Sequence, residues 1–329
     1  MMRRFTYLII LTVIISCGRL DSKEGDVIGI SASIASSGIS TSATKSTPTV
    51  SQAKPYRGTT PTAGNSLKAA VWFSDSPTRF DHAPAQPTYL PCRTKMEFES
   101  SAIKYADYKP SEDSDPISLR YPTDNDPVYC IGLYPDEGWN SADGVHITHE
   151  INGSDDLMFA DVIEGTWDEQ MSSQQYGHLL TWIKVSVCAM TMETKEHWGK
   201  VKQITIKSKS NVSIDLSSNT ERVTYGGNDQ QIPVLDDPAG IELNLTSKEV
   251  GSVFCSPATE YEVCITTENY SQKVQTIKLS DLNYIEITDK DQAIGKLFIL
   301  SLYFNPFKII EGTCTLNYWN DQNEDLFMN

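Results

Sequence analysis

The fold of this chain is decided by the stretch LLTWIKVSVCA, residues 179–189. The aliphatic residues Ile183, Val185 and Val187 share one parity, whereas Lys184 occupies the other. Because successive side chains of a strand point to opposite faces, this alternation predicts a β-strand with one buried and one solvated face.

Similar short apolar segments recur along the chain and are separated by Pro, Gly and Asp residues. They include residues 69–73, 96–98, 128–134, 204–206, 241–245 and 261–265. Residues 297–304 are apolar on both parities, which predicts a strand in the centre of its sheet. No window of eleven or more residues shows a helical repeat of 3.6. These patterns predict an all-β protein with two antiparallel β-sandwich domains in series.

The first seventeen residues have the pattern of a lipoprotein signal peptide. Arg3 and Arg4 precede an apolar run at 7–15, which ends in Ile-Ser-Cys17-Gly. The run is shorter than the roughly twenty residues that a membrane-spanning helix needs. The pattern predicts that Cys17 carries acyl chains such as palmitate and attaches the chain to a bacterial membrane surface.

Residues 18–66 are rich in Ser, Thr, Ala and Gly and are predicted to form a linker rather than a packed structure. Arg57, within Lys-Pro-Tyr-Arg-Gly, offers an exposed target for an Arg-specific protease. The folded part is expected to open near Leu67, with an N-terminal sandwich over 67–173. A C-terminal sandwich with an acidic tail is expected over 174–329.

Charge and cysteine content limit the partners and the chemistry. The formal charge of −16, without a basic cluster, excludes nucleic acid as a partner. Apart from Cys17 there are six cysteines, and Cys255 and Cys264, nine residues apart across a turn, are the best candidates for a disulfide. The alternative is that the cysteines are buried as small apolar residues.

Enzymatic motifs are absent from the sequence. It has neither a nucleophile elbow nor a glycine-rich phosphate loop. His146 and His149 would point to opposite faces of a strand, whereas the zinc-protease pattern needs two histidines on one face of a helix. We therefore expect no catalytic residues, no metal and no cofactor, and the chain is not expected to be an enzyme.

Several segments together resemble the fimbrillin family, the lipoprotein-derived subunits of type V pili. They are the Cys17 signal, the Ser/Thr-rich leader with Arg57, Asp-Leu-Met-Phe-Ala at 156–160, Tyr-Gly-His-Leu-Leu at 176–180, Gln-Ile-Pro at 231–233 and the closing segment 309–319. The resemblance implies two transthyretin-like β-sandwiches. It also implies a precursor that is lipidated, exported to the outer membrane and cell surface, cut by an Arg-specific protease and polymerised into a fimbria that serves adhesion.

The resemblance also implies sites of maturation and assembly. The position that matches the family's cut is Arg57, and Arg79 is a second candidate. A cut after Arg57 leaves Val71 and Phe73 in place, whereas a cut after Arg79 removes their strand. In the family, a segment of the neighbouring subunit then fills the opened groove by β-strand addition.

Residues near the C-terminus are candidates for that donor segment, namely Leu316, Tyr318 and Trp319. They could equally form the ordinary last strand of the C-terminal sandwich. The expected partners are other fimbrial subunits, the outer membrane through the lipid on Cys17, and a host or bacterial surface ligand. The six other cysteines and the acidic residues 321–325 are not features of a stalk subunit, so a tip or accessory subunit remains open.

The alternative function is a surface glycan-binding lipoprotein that stays monomeric. Such a protein would share the lipid anchor, the tether and the β-sandwiches. Trp139 and Trp167 lie in loop-like sequence and could stack on sugar rings. Polymerisation distinguishes the two functions.

Overall fold

The computed structural model describes residues 26–34, 66–80, 90–99, 103–109, 115–218, 221–279, 287–306 and 311–317. Strands make up most of these residues, and the all-β fold is confirmed. Within the described ranges the one α-helix is α1 (Met192–Trp198), and no helix has the length and hydropathy of a membrane span.

The first eleven strands run from the N-terminus to the middle of the chain. They are β1 (Gly29–Ile30), β2 (Ala32–Ile34), β3 (Leu67–Ser74), β4 (Cys92–Phe98), β5 (Lys104–Tyr105), β6 (Asp107–Tyr108), β7 (Ile117–Ser118), β8 (Val128–Tyr134), β9 (His146–Glu150), β10 (Met158–Gly165) and β11 (Gln174–His178).

The remaining eight strands complete the described chain. They are β12 (Thr181–Ala189), β13 (Val201–Asp215), β14 (Val223–Ile241), β15 (Lys248–Cys255), β16 (Glu260–Thr267), β17 (Lys273–Lys278), β18 (Leu297–Phe304) and β19 (Glu311–Asn317).

The N-terminal part is organised by a six-stranded sheet in the order β2-β11-β10-β8-β3-β4. In β3, Leu67, Ala69, Val71 and Phe73 are fully buried on one face and pack in a core with residues of β4, β8, β10 and β11. The alternate residue Trp72 faces the other way and packs in a second core, which continues into the C-terminal strands. The sheet therefore buries both of its faces.

The C-terminal part contains two further sheets, in the orders β15-β12-β18-β19 and β14-β13-β16-β17. β12 buries Ile183, Val185 and Val187 as its alternation predicted, but its other face is not solvated, because Lys184 is half-buried and Ser186 and Cys188 are buried. β18 lies between β12 and β19, which confirms the central position predicted for it.

Two strands connect the N-terminal and C-terminal parts of the chain. β9 precedes the predicted boundary at residue 173 but pairs with β13 of the C-terminal part. β11 follows that boundary but pairs with β10 in the six-stranded sheet of the N-terminal part. The division at residue 173 and the two transthyretin-like sandwiches stay predictions.

The linker contains a folded segment that the sequence interpretation overlooked. Residues 26–34, inside the predicted linker 18–66, form β1 and β2 and contribute Ile28, Ile30 and Ala32 to the first core. The folded part thus begins before Leu67. These side chains are buried because β1 and β2 pair with distant parts of the chain. The Ser-rich sequence on either side of them gives no indication of that pairing.

The predicted disulfide between Cys255 and Cys264 is not formed, and each residue is a buried free thiol. The short turn between them joins β15 and β16, which belong to different sheets. Burial raises the pKa of the Cys255 thiol, so it behaves as a small apolar side chain. Cys92, Cys130 and Cys188 are also buried free thiols.

Candidate functional site

The candidate functional site is the groove that holds residues 26–34, which we call the docked segment. Its first half is held between two other segments by backbone hydrogen bonds. Ile28 N donates to Leu119 O at 2.8 Å, and Ala106 N donates to Ile28 O at 2.9 Å. Tyr121 N donates to Asp26 O at 3.0 Å. The backbone is thus paired on both of its sides.

The second half of the docked segment extends the six-stranded sheet. β2 runs parallel to β11, with Ala32 in register with Gln174 and Ile34 in register with Tyr176. Gln174 N donates to Ser31 O at 2.9 Å. β2 is the edge strand, so its departure would leave unpaired those N–H and C=O groups of β11 that point toward β2.

The docked segment is also held by apolar burial. Ile28 and Ile30 are 0% exposed and Ala32 is 1% exposed. On the solvent side, Ile103 and Tyr105 lie against Gly29, although both are themselves more than half exposed. Burying two isoleucines contributes about 3–6 kcal/mol.

A polar cluster lies in this core, on the face where Ala32 is buried. Tyr176 Oη donates to Gln174 Oε1 at 3.0 Å, and Gln174 Nε2 donates to Cys130 Sγ at 3.3 Å. The side chains of all three residues are fully buried. Burial raises the pKa of the Cys130 thiol and of the Tyr176 hydroxyl, so both stay protonated and uncharged.

Small residues in the neighbouring strands make room for this cluster. Ala160 and Gly132 lie in register beside Tyr176 across β10 and β8. A Cβ at Gly132 would lie 2.5 Å from Tyr176 Cζ and 2.8 Å from Gln174 Oε1. The tyrosine side chain therefore needs the glycine to reach its position.

The two predicted cleavage positions differ in what the structure describes. Arg57 lies outside the described residues. Arg79 is exposed on the turn after β3, but Phe80, which follows it, is fully buried. Phe80 N donates to Gly144 O at 2.8 Å, and Ser74 Oγ donates to Arg79 O at 2.5 Å. The peptide bond between Arg79 and Phe80 is therefore held by a hydrogen bond at its carbonyl oxygen and by another at its N–H group.

Val71 and Phe73 lie in β3, between β4 and β8 in the interior of the sheet. Among the donor candidates, Leu316 is in β19, where its backbone is in register with Phe298 of β18. Tyr318, Trp319, the acidic residues 321–325 and Cys17 lie outside the described residues.

The candidate sugar-stacking residues differ in their exposure. Trp139 is only 8% exposed, donates its Nε1 hydrogen to Pro135 O at 3.0 Å and packs edge-on against His149. Trp167 is 36% exposed. Of these two residues, only Trp167 has substantial surface exposed to solvent.

The histidines of β9 lie on opposite faces, as predicted, with His146 exposed and His149 buried. His149 Nδ1 lies 2.7 Å from the backbone carbonyl oxygen of Glu150, and its Nε2 lies 3.2 Å from that of Glu137; both carbonyls are acceptors. Within the described ranges, no three His, Cys, Asp or Glu side chains come together as metal ligands.

A surface cleft of about 530 Å³ lies at the opposite edge of the six-stranded sheet. Arg93 covers the ring of Trp72 there, with its guanidinium carbon 3.7 Å from the ring centroid. Lys95 Nζ, on the cleft wall, lies 2.6 Å from Glu137 Oε1. Arg93 and Lys95, two of the cations of the cleft, thus lie against an aromatic ring and a carboxylate of the same chain.

The sequence interpretation missed the docked segment and its groove, although one signal was present. Residues Ile28, Ile30, Ala32 and Ile34 alternate with Gly29, Ser31 and Ser33, which is the two-residue period of a strand. Nothing in the sequence shows that β11, more than 130 residues away, is its neighbour.

Comparison with known proteins gives a likeness in fold. A candidate cell adhesion protein from Bacteroides uniformis matches with a TM-score of 0.50 and 12% identity, over 89% of this chain and 99% of that chain. One from Bacteroides ovatus matches with a TM-score of 0.45 and 13% identity, over 90% and 98%. A fimbrial protein from Bacteroides vulgatus matches with a TM-score of 0.32 and 12% identity, over 78% and 92%.

At these identities the likeness to the Bacteroides uniformis protein concerns the fold alone. No protein-family model matches the sequence, and no curated protein matches it.

Proposed function

We propose that this chain is a cell-surface adhesion or fimbrial subunit that assembles by exchange of a β-strand. The observation that carries the proposal is the docked segment. It lies before the predicted cut at Arg57, yet it completes the edge of the sheet and part of the core. The candidate cell adhesion protein of similar fold from Bacteroides uniformis supports the same class of function.

The physical basis is the change in molecularity that a cut after Arg57 would cause. Before the cut, residues 26–34 are tied to the rest of the chain, so their effective concentration at the groove is high. After the cut, only noncovalent contacts hold them. Once they leave, the edge of β11 and the pockets of Ile28 and Ile30 are open to an incoming strand.

This order of events assigns the surrendered strand to residues 26–34 instead of the strand that contains Val71 and Phe73. β2 lies at an edge, so its loss leaves the other five strands paired. β3 lies between two partners, so its loss after a cut at Arg79 would divide the sheet. In the proposal, Cys17 carries the lipid that holds the precursor at the outer membrane until cleavage.

The test is treatment of the purified full chain with an Arg-specific protease. Wild type and Arg79→Gln should both yield a chain that begins at Gly58, and Arg57→Gln should not. The products are identified by intact mass, and assembly is followed by size-exclusion chromatography with light scattering. We expect oligomers only where the segment before Gly58 has been released.

Two results would count against the proposal. A product that begins at Gly58, has lost residues 26–34 and stays monomeric would favour the glycan-binding alternative. A product that begins at Phe80 would show that β3 is the strand that leaves.

A further inference from the structure

The groove of the docked segment contains a fully buried polar cluster beside Ala32. Ala32 is buried in register with Gln174, whose amide contacts Tyr176 and Cys130. We call Gln174, Tyr176 and Cys130 the polar seat. Ile28 and Ile30 belong to the same core, but Ile30 is in register with Lys104 and Ile28 is hydrogen-bonded to other segments, so of these three positions only Ala32 is in register with Gln174.

The polar seat limits the size of the side chain above it. Ala32 is 1% exposed and Gln174 is 0% exposed, so a larger side chain at position 32 would have to displace the amide or its neighbours. The tyrosine cannot move toward β8 without meeting Gly132, where even a Cβ has no room. Cores of this density resist added methylene groups.

Among the described residues, the polar seat also has hydrogen-bonding capacity left. The Gln174 amide has two N–H groups, and among the described residues its only side-chain acceptor is the thiol sulfur of Cys130, a weak acceptor. A large apolar side chain at position 32 would cover the second N–H without offering it an acceptor. A serine hydroxyl there could accept from it.

We propose that the polar seat selects which strand can fill the groove. The occupant it accepts is an extended segment of another subunit with two large aliphatic side chains, at the positions of Ile28 and Ile30. The next residue of the same parity must be small, either Ala or Ser. This inference rests on the proposed function, because it names the partner segment that the opened groove takes.

The full uncut chain provides the first test, with Ala32→Leu, Ala32→Ser and the matched control Ser31→Leu. Ser31 is half-buried and, as the neighbour of Ala32 in the strand, points to the opposite face. Modification of Cys130 by iodoacetamide, measured by peptide mass, reports opening of the groove. Cys92, buried in the same core on the far edge strand β4, is the internal reference.

We expect Ala32→Leu to speed modification of Cys130 by about tenfold or more relative to Cys92, because overpacking favours the open form. Ala32→Ser and Ser31→Leu should modify Cys130 at the wild-type rate or more slowly. An unchanged Cys130 rate in Ala32→Leu would overturn the inference. So would an equal rise at Cys92 and Cys130, because it would show general loosening of the core.

A second test uses the chain after cleavage at Arg57 and a synthetic peptide with the sequence of residues 26–34. The peptide should protect Cys130, and a peptide with the Ala32→Leu change should protect it about tenfold less well at equal concentration. Equal protection by both peptides would overturn the selection but leave strand exchange standing. If the cut chain never releases residues 26–34, the proposed strand exchange is contradicted. The rate of Cys130 modification in the uncut Ala32→Leu chain still tests whether the polar seat limits the side chain at position 32.

Discussion

Gly132 shows how one residue without a side chain permits the arrangement of the groove. Tyr176 lies across the sheet face, and its hydroxyl occupies the space that a Cβ at position 132 would need. We expect Gly132→Ala to lower the free energy of unfolding by about 1–3 kcal/mol, because the tyrosine and Gln174 must both shift. Urea denaturation of the purified chain measures this change.

The matched control is Gly177→Ala in β11. A Cβ at Gly177 would meet only Phe159 O, at 3.9 Å, so the change should be within about 0.5 kcal/mol of wild type. If the two alanine variants were equally stable, the close packing of Tyr176 against Gly132 would not determine the stability of this sheet.

His146 is a second residue whose behaviour follows from its neighbours. Its Nδ1 lies 2.7 Å from Asp143 Oδ2, and this hydrogen bond raises the pKa of His146, with a smaller contribution from Asp215. The charged form is therefore favoured in the folded state. Its stabilising effect is complete below the unfolded pKa of about 6.5 and is lost as pH rises through the folded pKa.

NMR titration should accordingly give a pKa for His146 above 6.5. Asp143→Asn should lower that pKa toward 6.5, because the amide keeps an oxygen for the N–H groups of Val145 and His146 but loses the charge. Asp215→Asn should lower it less, because the Asp215 carboxylate is 3.9 Å away. A larger effect from Asp215 would contradict this assignment.

At the scale of elements, the turn after β3 is expected to resist proteolysis although Arg79 is exposed. A protease must draw several residues around the cut into an extended form, and here that means extracting Phe80 from the core. We expect the Arg79–Phe80 bond to survive limited digestion that cuts the chain after Arg57. Phe80→Ala should make this bond susceptible.

The measurement is a time course of fragment masses at low protease concentration. Because opening of the turn precedes cleavage, the rate reports the local stability of residues 79–80. A fragment that begins at Phe80 and accumulates as early as one that begins at Gly58 would contradict the expectation.

Long, regular strands could be predicted from the sequence, and short ones with distant partners could not. β12 carries its alternation over nine residues, enough to identify a buried face, and β18 is apolar on both parities over eight residues, enough to predict a central position. β1 and β2 have two and three residues and are stabilised mainly by partners far along the chain. Their flanks are Ser-rich, so composition predicted a linker.

The candidate site was not predicted, for the same reason. Cleavage after Arg57, which lies outside the described residues, stays a prediction from the local sequence. The polar seat could not be predicted, since Gln174, Tyr176 and Cys130 become neighbours of Ala32 only through the pairing of strands from four segments. The disulfide prediction was wrong because sequence spacing does not reveal that β15 and β16 lie in different sheets.

At the scale of the whole molecule, charge should control the speed of assembly. The full chain has a formal charge of −16, and its first 57 residues hold seven basic and three acidic side chains. A cut after Arg57 that releases this fragment therefore leaves a chain with a charge of −20. Like-charged subunits repel each other over a Debye length, about 30 Å at 0.01 M salt and about 8 Å at 0.15 M.

We expect the initial rate of oligomer formation by cut chains to rise as NaCl increases from about 0.01 M to about 0.15 M, because screening weakens the repulsion between subunits. Light scattering at several protein concentrations measures this rate, and Arg57→Gln chains treated in the same way are the control. A rate that fell with salt would show that opposite charges on the contacting surfaces steer the encounter. A rate independent of both salt and protein concentration would show that departure of residues 26–34 from the groove limits assembly, which would make the polar contacts of Gln174 part of the rate-determining step.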